Sequence, residues 1–122
     1  MRLHHVSIPA PPDRIESGRD FYSGVLGLQE LSQPASLDAG SVIWFKAGDG
    51  ELHLFKEDSA GVGAGGRHFC LAVDDIETVR QRLISAGIQI EETTPIHNRP
   101  RFFCTDPFGN RLEISTILGD YK

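Results

Sequence analysis

Four side chains of this chain have the chemistry to hold a metal ion: His5, His53, His68 and Glu113. Each belongs to a short stretch in which apolar residues alternate with polar ones: Val6 and Ile8, Leu52 and Leu54, Phe69 and Leu71, Leu112 and Ile114. On a strand, that alternation sends the apolar set to one face and the polar residue to the other. Imidazole nitrogens and a carboxylate converging at about 2.0–2.2 Å suit a first-row divalent ion. The set contains no sulfur ligand, which argues against a closed structural zinc site. With water completing the sphere, such a centre accepts a substrate oxygen and acts as a Lewis acid. Without His53, the remaining His5, His68 and Glu113 form a two-histidine, one-carboxylate set with open positions. A strand histidine taken singly is more often a hydrogen-bonded residue on a half-exposed face than a ligand. What lifts these four above that reading is a repeat.

The two halves of the chain correspond. His5-Val-Ser-Ile matches His68-Phe-Cys-Leu, Gly27-Leu-Gln matches Gly87-Ile-Gln, Trp44-Phe45 matches Phe102-Phe103, and Leu52-His53-Leu54 matches Leu112-Glu113-Ile114. His5 and His53 are 48 positions apart, His68 and Glu113 45 apart, so the spacing agrees as well as the order. Each half reads as strand, helix and three strands, and about sixty residues bury too little surface to stand alone. Two such units side by side would line one cleft.

In the first half, residues 2–9 alternate as a strand ended by Pro9, Pro11 and Pro12, and Asp13 with Glu16 resembles a capping box. The helix that follows carries Ile15, Phe21, Tyr22, Val25 and Leu26, with Gly27 as its C-terminal cap. Short strands are expected over 28–31, 41–47 and 51–56, the last two joined as a hairpin through Gly48-Asp49-Gly50. In the second half a strand over 68–73 leads to Asp74 and Asp75 as cap candidates. A helix with Ile76, Val79 and Leu83 on one face follows, then Gly87, an extended 88–92 and a loop over 93–100. Residues 101–115 form a hairpin around Asp106-Pro107-Phe108-Gly109-Asn110. The Gly-rich stretch 59–66 matches G-x-G-x-x-G through Gly61, Gly63 and Gly66. A strand and not a helix follows it, so it reads as a linker rather than a dinucleotide site.

The remaining candidates line the expected cleft. Trp44, Phe45, Phe55, Phe102 and Phe103 supply apolar wall, with core packing the default for each. Trp44 and Phe55 are taken as substrate-binding candidates, and Arg101 (with Arg99) as a cation for an anionic substrate, although loop arginines are usually just solvated. His4 lies on the opposite face from His5 and is left out, and His97 falls in the proline-bounded loop at the surface. Nothing resembles a nucleophile elbow or a phosphate loop.

Composition sets the class. At 122 residues, 39% apolar and 24% charged, the chain has the profile of one ordinary globular domain. The net charge of −5 argues against a nucleic-acid or anionic-membrane partner. No apolar run approaches a membrane span and no signal-peptide pattern opens the chain. Cys70 and Cys104 are expected as free, partly buried thiols, which fits a cytoplasmic location.

The segments Leu3-His4-His5-Val6, Phe21-Tyr22-Ser23-Gly24-Val25-Leu26-Gly27-Leu28, residues 68–75 and Asp106-Pro107-Phe108-Gly109-Asn110-Arg111-Leu112-Glu113 together resemble the vicinal oxygen chelate superfamily. That group includes glyoxalase I, extradiol dioxygenases, fosfomycin-resistance and bleomycin-binding proteins. The resemblance runs from Leu3 to Ile117. It implies an α+β fold in which two βαβββ modules form an open, cleft-lining mixed sheet. It implies one such domain over 1–122, with module one at about 1–58 and module two at about 67–118. His5, His53, His68 and Glu113 match its metal-ligand positions, and His53 and Glu113 are the residues expected to take part in catalysis. Position 53 is Glu in glyoxalase I, and His there argues against isomerisation of a glutathione hemithioacetal. The resemblance implies a homodimeric enzyme, of lyase/isomerase, dioxygenase or thiol-transferase type, using Fe, Mn, Ni, Co or Zn on a small substrate with vicinal oxygens. The alternative is a metal-free small-molecule binding protein of the bleomycin-resistance type.

Overall fold

A computed structural model describes residues 1–58 and 66–120. The linker expected over 59–66 lies, apart from Gly66, outside the described residues. Among the described residues, 1–58 with Pro107–Asn110 form one compact unit, and 66–106 with 111–120 form another. The chain is α+β, with a four-stranded and a three-stranded mixed sheet.

In the first unit β1 (His5–Ala10) is followed by α1 (Glu16–Arg19), which continues as a π-helical turn over Asp20–Val25. Then come β2 (Gln29–Leu31), β3 (Val42–Ala47) and β4 (Gly50–Lys56). The sheet order is β1-β4-β3-β2, with β1 parallel to β4 and the other pairs antiparallel. Pro9 lies inside β1 instead of ending it. Because β1 is an edge strand, the missing N–H costs no ladder bond on the open side. The expected capping box is not made. Prolines 11 and 12 open a turn closed by the Arg14 N–H on the Pro11 carbonyl (3.0 Å), Ile15 becomes the N-cap, and Glu16 pairs with Arg19. The wider π turn, closed by the Leu26 N–H on the Phe21 carbonyl, reduces the angle between successive side chains. It lets adjacent Phe21 and Tyr22 both enter the core.

Registered partners share a face. Ile8, Leu52, Leu54, Ile43 and Phe45 make the buried face of this sheet, and His5, Ser7, Glu51, His53 and Trp44 the other. Gly18 passes so close to that core that a Cβ would overlap Leu54 Cδ1 and meet Phe108 Cε2 at 3.3 Å. The Asn110 side chain donates to the Pro9 carbonyl at 2.9 Å, tying the turn of the 101–115 hairpin to β1.

In the second unit β5 (Phe69–Ala72) leads into α2 (Ile76–Ser85), then β6 (Arg101–Thr105) and β7 (Arg111–Ser115), in the order β5-β7-β6. The 88–92 stretch contributes one bridge, Glu91 to Phe103, in place of a third strand. Pro95, just beyond it, has no N–H to extend a ladder. Asp75 is the N-cap of α2 and accepts from the Thr78 hydroxyl (2.7 Å) and N–H (3.2 Å). Those bonds, the hydroxyl's first, hold its carboxyl below the ordinary value. A depressed carboxylate stabilises the fold above its unfolded-state pKa, and the contribution fades as the pH falls through the folded value. Asp75→Ala should therefore lower the melting temperature at neutral pH by several degrees. The gap to wild type should narrow below the ordinary carboxylate range, as followed by circular dichroism. Gly27 and Gly87, each just past a helical segment, have φ of +79°, the left-handed conformation that favours glycine as a helix stop.

Register reproduces the repeat. Ser7 lies opposite His53 as Cys70 lies opposite Glu113, and Trp44 opposite His53 as Phe103 opposite Glu113. The equivalent of Trp44 is thus Phe103, not Phe102. The two hairpins differ in loop length: two residues separate β3 from β4, and five separate β6 from β7. A side-by-side reading without that difference slips by one residue and exchanges faces. Both cysteines are free, as expected, but Cys104 is fully buried and Cys70 exposed. Burial pushes the Cys104 thiol up to about 11. Cys70, exposed by surface area yet partly desolvated by its neighbours and close to the Glu113 carboxylate, is raised to about 11 as well, so neither is a thiolate nucleophile at neutral pH.

Candidate functional site

The four residues singled out from the sequence come together as two pairs, one in each unit. Among the described residues no group of three or more His, Cys, Asp or Glu side chains gathers around one point.

In the first unit His5 and His53 stand on adjacent parallel strands, and their rings stack at 4.3 Å with planes 17° apart. The indole of Trp44, directly across from His53 on β3, lies on the other side of that imidazole at 3.9 Å and 4°. His53 is thus sandwiched, and only 8% of it is exposed. Stacked rings keep their lone pairs in nearly parallel planes, so His5 and His53 as stacked do not direct a nitrogen each at one ion. His5 is exposed and has room to turn; His53 does not. The His53 Nε2 is held by Glu51 Oε1 at 2.8 Å, and that hydrogen bond keeps the Glu51 carboxyl below its ordinary value. His4, set aside from the sequence, brings its Nδ1 to 3.0 Å from His5 Nδ1.

In the second unit His68 lies just before β5, and its two ring nitrogens are both engaged. Nδ1 is 2.7 Å from the Gly66 carbonyl, and Nε2 is 3.0 Å from Glu113 Oε2. A carbonyl can only accept, so Nδ1 carries a proton, and Nε2 then faces a carboxylate that can also only accept. The pair requires a positive charge between its members: a proton, or a metal ion. Two ligand atoms at right angles on an ion, each at about 2.1 Å, lie about 3 Å apart. That is the separation seen, and it is equally the length of an ordinary imidazole–carboxylate hydrogen bond. The Gly66 carbonyl supplies the outer hydrogen bond that metal-binding imidazoles usually make. The donor types of this pair suit a divalent ion, of which they would be two ligands.

Around this pair, Arg101 donates from Nη1 to Glu113 Oε1 (3.1 Å) and from Nη2 to the Thr94 carbonyl (2.9 Å). Its guanidinium is committed to the carboxylate and the loop. Arg99 likewise donates to the Asn98 and Gly119 carbonyls. Phe103 is buried beneath His68 (edge-on, 4.9 Å) and the guanidinium of Arg111 (3.9 Å). Ser115, two residues past Glu113 on the same face, buries a hydroxyl with no hydrogen-bond partner among the described residues. In the first unit Phe55 is half-buried on the face of His53 and Trp44.

Glu51 and His4 were missed from the sequence. Glu51 was legible, since the alternation Glu51-Leu52-His53 puts it on the face of His53. His4 carried no such signal, because its contact arises where the chain enters β1.

The profile of the Glyoxalase/Bleomycin resistance protein/Dioxygenase superfamily matches residues 2–114. The chain belongs to that superfamily. A glyoxalase family protein from Bacillus anthracis is 32% identical, with a TM-score of 0.86 over 96% of this chain and 95% of the other. A glyoxalase family protein from Enterococcus faecalis is 27% identical, with a TM-score of 0.71 over 93% and 96%. Lactoylglutathione lyase from Agrobacterium tumefaciens, at 22% identity and a TM-score of 0.69 over 94% and 92%, shares the fold. Comparison with curated proteins gives no match. No helix among the described residues is long and apolar enough to cross a membrane.

Proposed function

We propose that this member of the glyoxalase superfamily is a divalent-metal-dependent enzyme acting on a small substrate that binds the ion through two adjacent oxygens. The observation that carries the reading is the His68–Glu113 pair, two acceptor atoms held 3.0 Å apart with the imidazole fixed from behind by Gly66. His68 and Glu113 supply two ligand atoms, and a histidine matching His5, from this chain or a second copy, would complete the two-histidine, one-carboxylate set. His53, the remaining candidate, acts as the base, because its stacked ring is turned away from convergence with His5. A bound Fe, Mn, Ni, Co or Zn ion would supply Lewis acidity toward a substrate oxygen.

The protein's own groups do the rest. Arg101 orients the Glu113 carboxylate through Oε1 and leaves Oε2 toward His68. The buried Ser115 hydroxyl offers a hydrogen bond to a polar group of the substrate. Trp44 and Phe55 offer an apolar wall on the face of His53, and Nδ1, the ring nitrogen not bonded to Glu51, is the one that would take a proton from a substrate bound against that wall.

Untagged protein reconstituted with each of the five metals should retain one of them near one equivalent per chain after desalting. Retention of none would leave the metal-free binding protein as the reading of this fold. We further propose a homodimer acting in the cytoplasm. Exposed Ile96, Ile117 and Leu118 are apolar surface available for burial, and light scattering should return twice the chain mass.

A further inference from the structure

We infer that Glu51 is a positioning residue for His53, holding the imidazole as its Nε2–H form so that Nδ1 is the nitrogen presented to the substrate. The inference rests on the reading of His53 as the base, and it concerns a residue with no counterpart among the four repeat-matched positions. Three contacts define the His53 ring completely. Trp44 (3.9 Å, 4°) and His5 (4.3 Å, 17°) fix its plane from both sides. Within that plane the ring could still point either nitrogen either way, and Glu51 Oε1 at 2.8 Å from Nε2 removes that freedom.

The geometry follows from strand structure. Residues 51 and 53 are successive residues on one face of β4, and Glu51 is also in register with His5 on β1. The first unit thus carries a carboxylate near the start of its last strand, two positions before 53. It acts on the imidazole and not in place of it. A carboxylate that accepts from one nitrogen fixes the tautomer and makes the other nitrogen a better base, a role outer carboxylates play for working imidazoles in general.

The test is spectroscopic and needs neither metal nor substrate. In nitrogen-labelled, metal-free full-length protein, proton–nitrogen correlation spectra should show a downfield His53 Nε2–H resonance protected from water, assigned by its loss in His53→Asn. Glu51→Gln, whose amide oxygen still accepts, should keep the resonance at a smaller downfield displacement. Glu51→Ala should lose it, with unchanged circular dichroism. A His53 proton on Nδ1 in the wild type, or a protected Nε2–H that survives in Glu51→Ala, would overturn the inference. These outcomes are separate from those of metal reconstitution: a chain that retains no metal but shows the resonance keeps the Glu51–His53 arrangement and loses only the metal-dependent reading.

Discussion

Glu113→Ala is expected to lower the affinity for Co(II) or Zn(II) by more than about 100-fold, His68→Ala by a comparable factor, and His53→Ala by less than about 10-fold. Loss of a residue that merely supports a ligand costs about 10–100-fold in metal affinity, so loss of a ligand atom itself should exceed that range. The ranking follows from the two pairs. His68 Nε2 and Glu113 Oε2 are already at the separation of neighbouring ligand atoms (3.0 Å), and each is fixed from behind, His68 by Gly66 and Glu113 by Arg101. His53 is clamped between Trp44 and His5, with its Nε2 given to Glu51. Competition with a chromophoric chelator measures all three. Equal losses at His53 and Glu113 would show that the ring stack opens on loading and that His53 ligates, which would remove it as the base.

The second large effect is on stability. Leu54→Ala should destabilise the fold by about 2–5 kcal/mol, the usual range for emptying a fully buried leucine site. Leu54 is wholly buried, in register with Ile8 on one side and Ile43 on the other, and its Cδ1 occupies the space a side chain at position 18 would need. Gly18→Ala alone should cost about 1–3 kcal/mol through overpacking against Leu54 and Phe108. The higher helix propensity of alanine returns at most about 1 kcal/mol. Together the two substitutions should cost less than their sum, by about 0.5–3 kcal/mol, because the new methyl enters the space the leucine vacates. Urea denaturation of the four proteins closes the cycle. Strict additivity would mean that the Gly18 contact with Leu54 is relieved by backbone movement, leaving no shared cavity.

Much of the design can be read without coordinates, and the reason is that it is local. Alternation along a strand decides faces by itself, so Leu52 and Leu54 go inward and His53 outward whatever the strand pairs with. The structure keeps that phase in both units. Glycines at 27 and 87 end helical segments because only the residue's own backbone freedom is at issue. The internal repeat and the superfamily follow from the order of such local signals.

What needed the tertiary structure is everything that depends on a partner far along the chain. Loop length sets register, and the five-residue turn of the last hairpin made Phe103, not Phe102, the equivalent of Trp44. Arg101 looked available to a substrate from its place beside a loop, yet it spans to Glu113 and the Thr94 carbonyl. Glu16 looked like half of a capping box, but Arg19 claims it. Most of all, the sequence named His5, His53, His68 and Glu113 as one set of alike residues, and only the packing divided them. The His68–Glu113 pair is held at ligand spacing, whereas His53 is pressed flat between two rings and tied to Glu51. Residue type and phase decide what a side chain is able to bind. The neighbours that fix its ring plane and occupy its nitrogens decide what it is free to bind, and those neighbours are set by strand pairing across the fold.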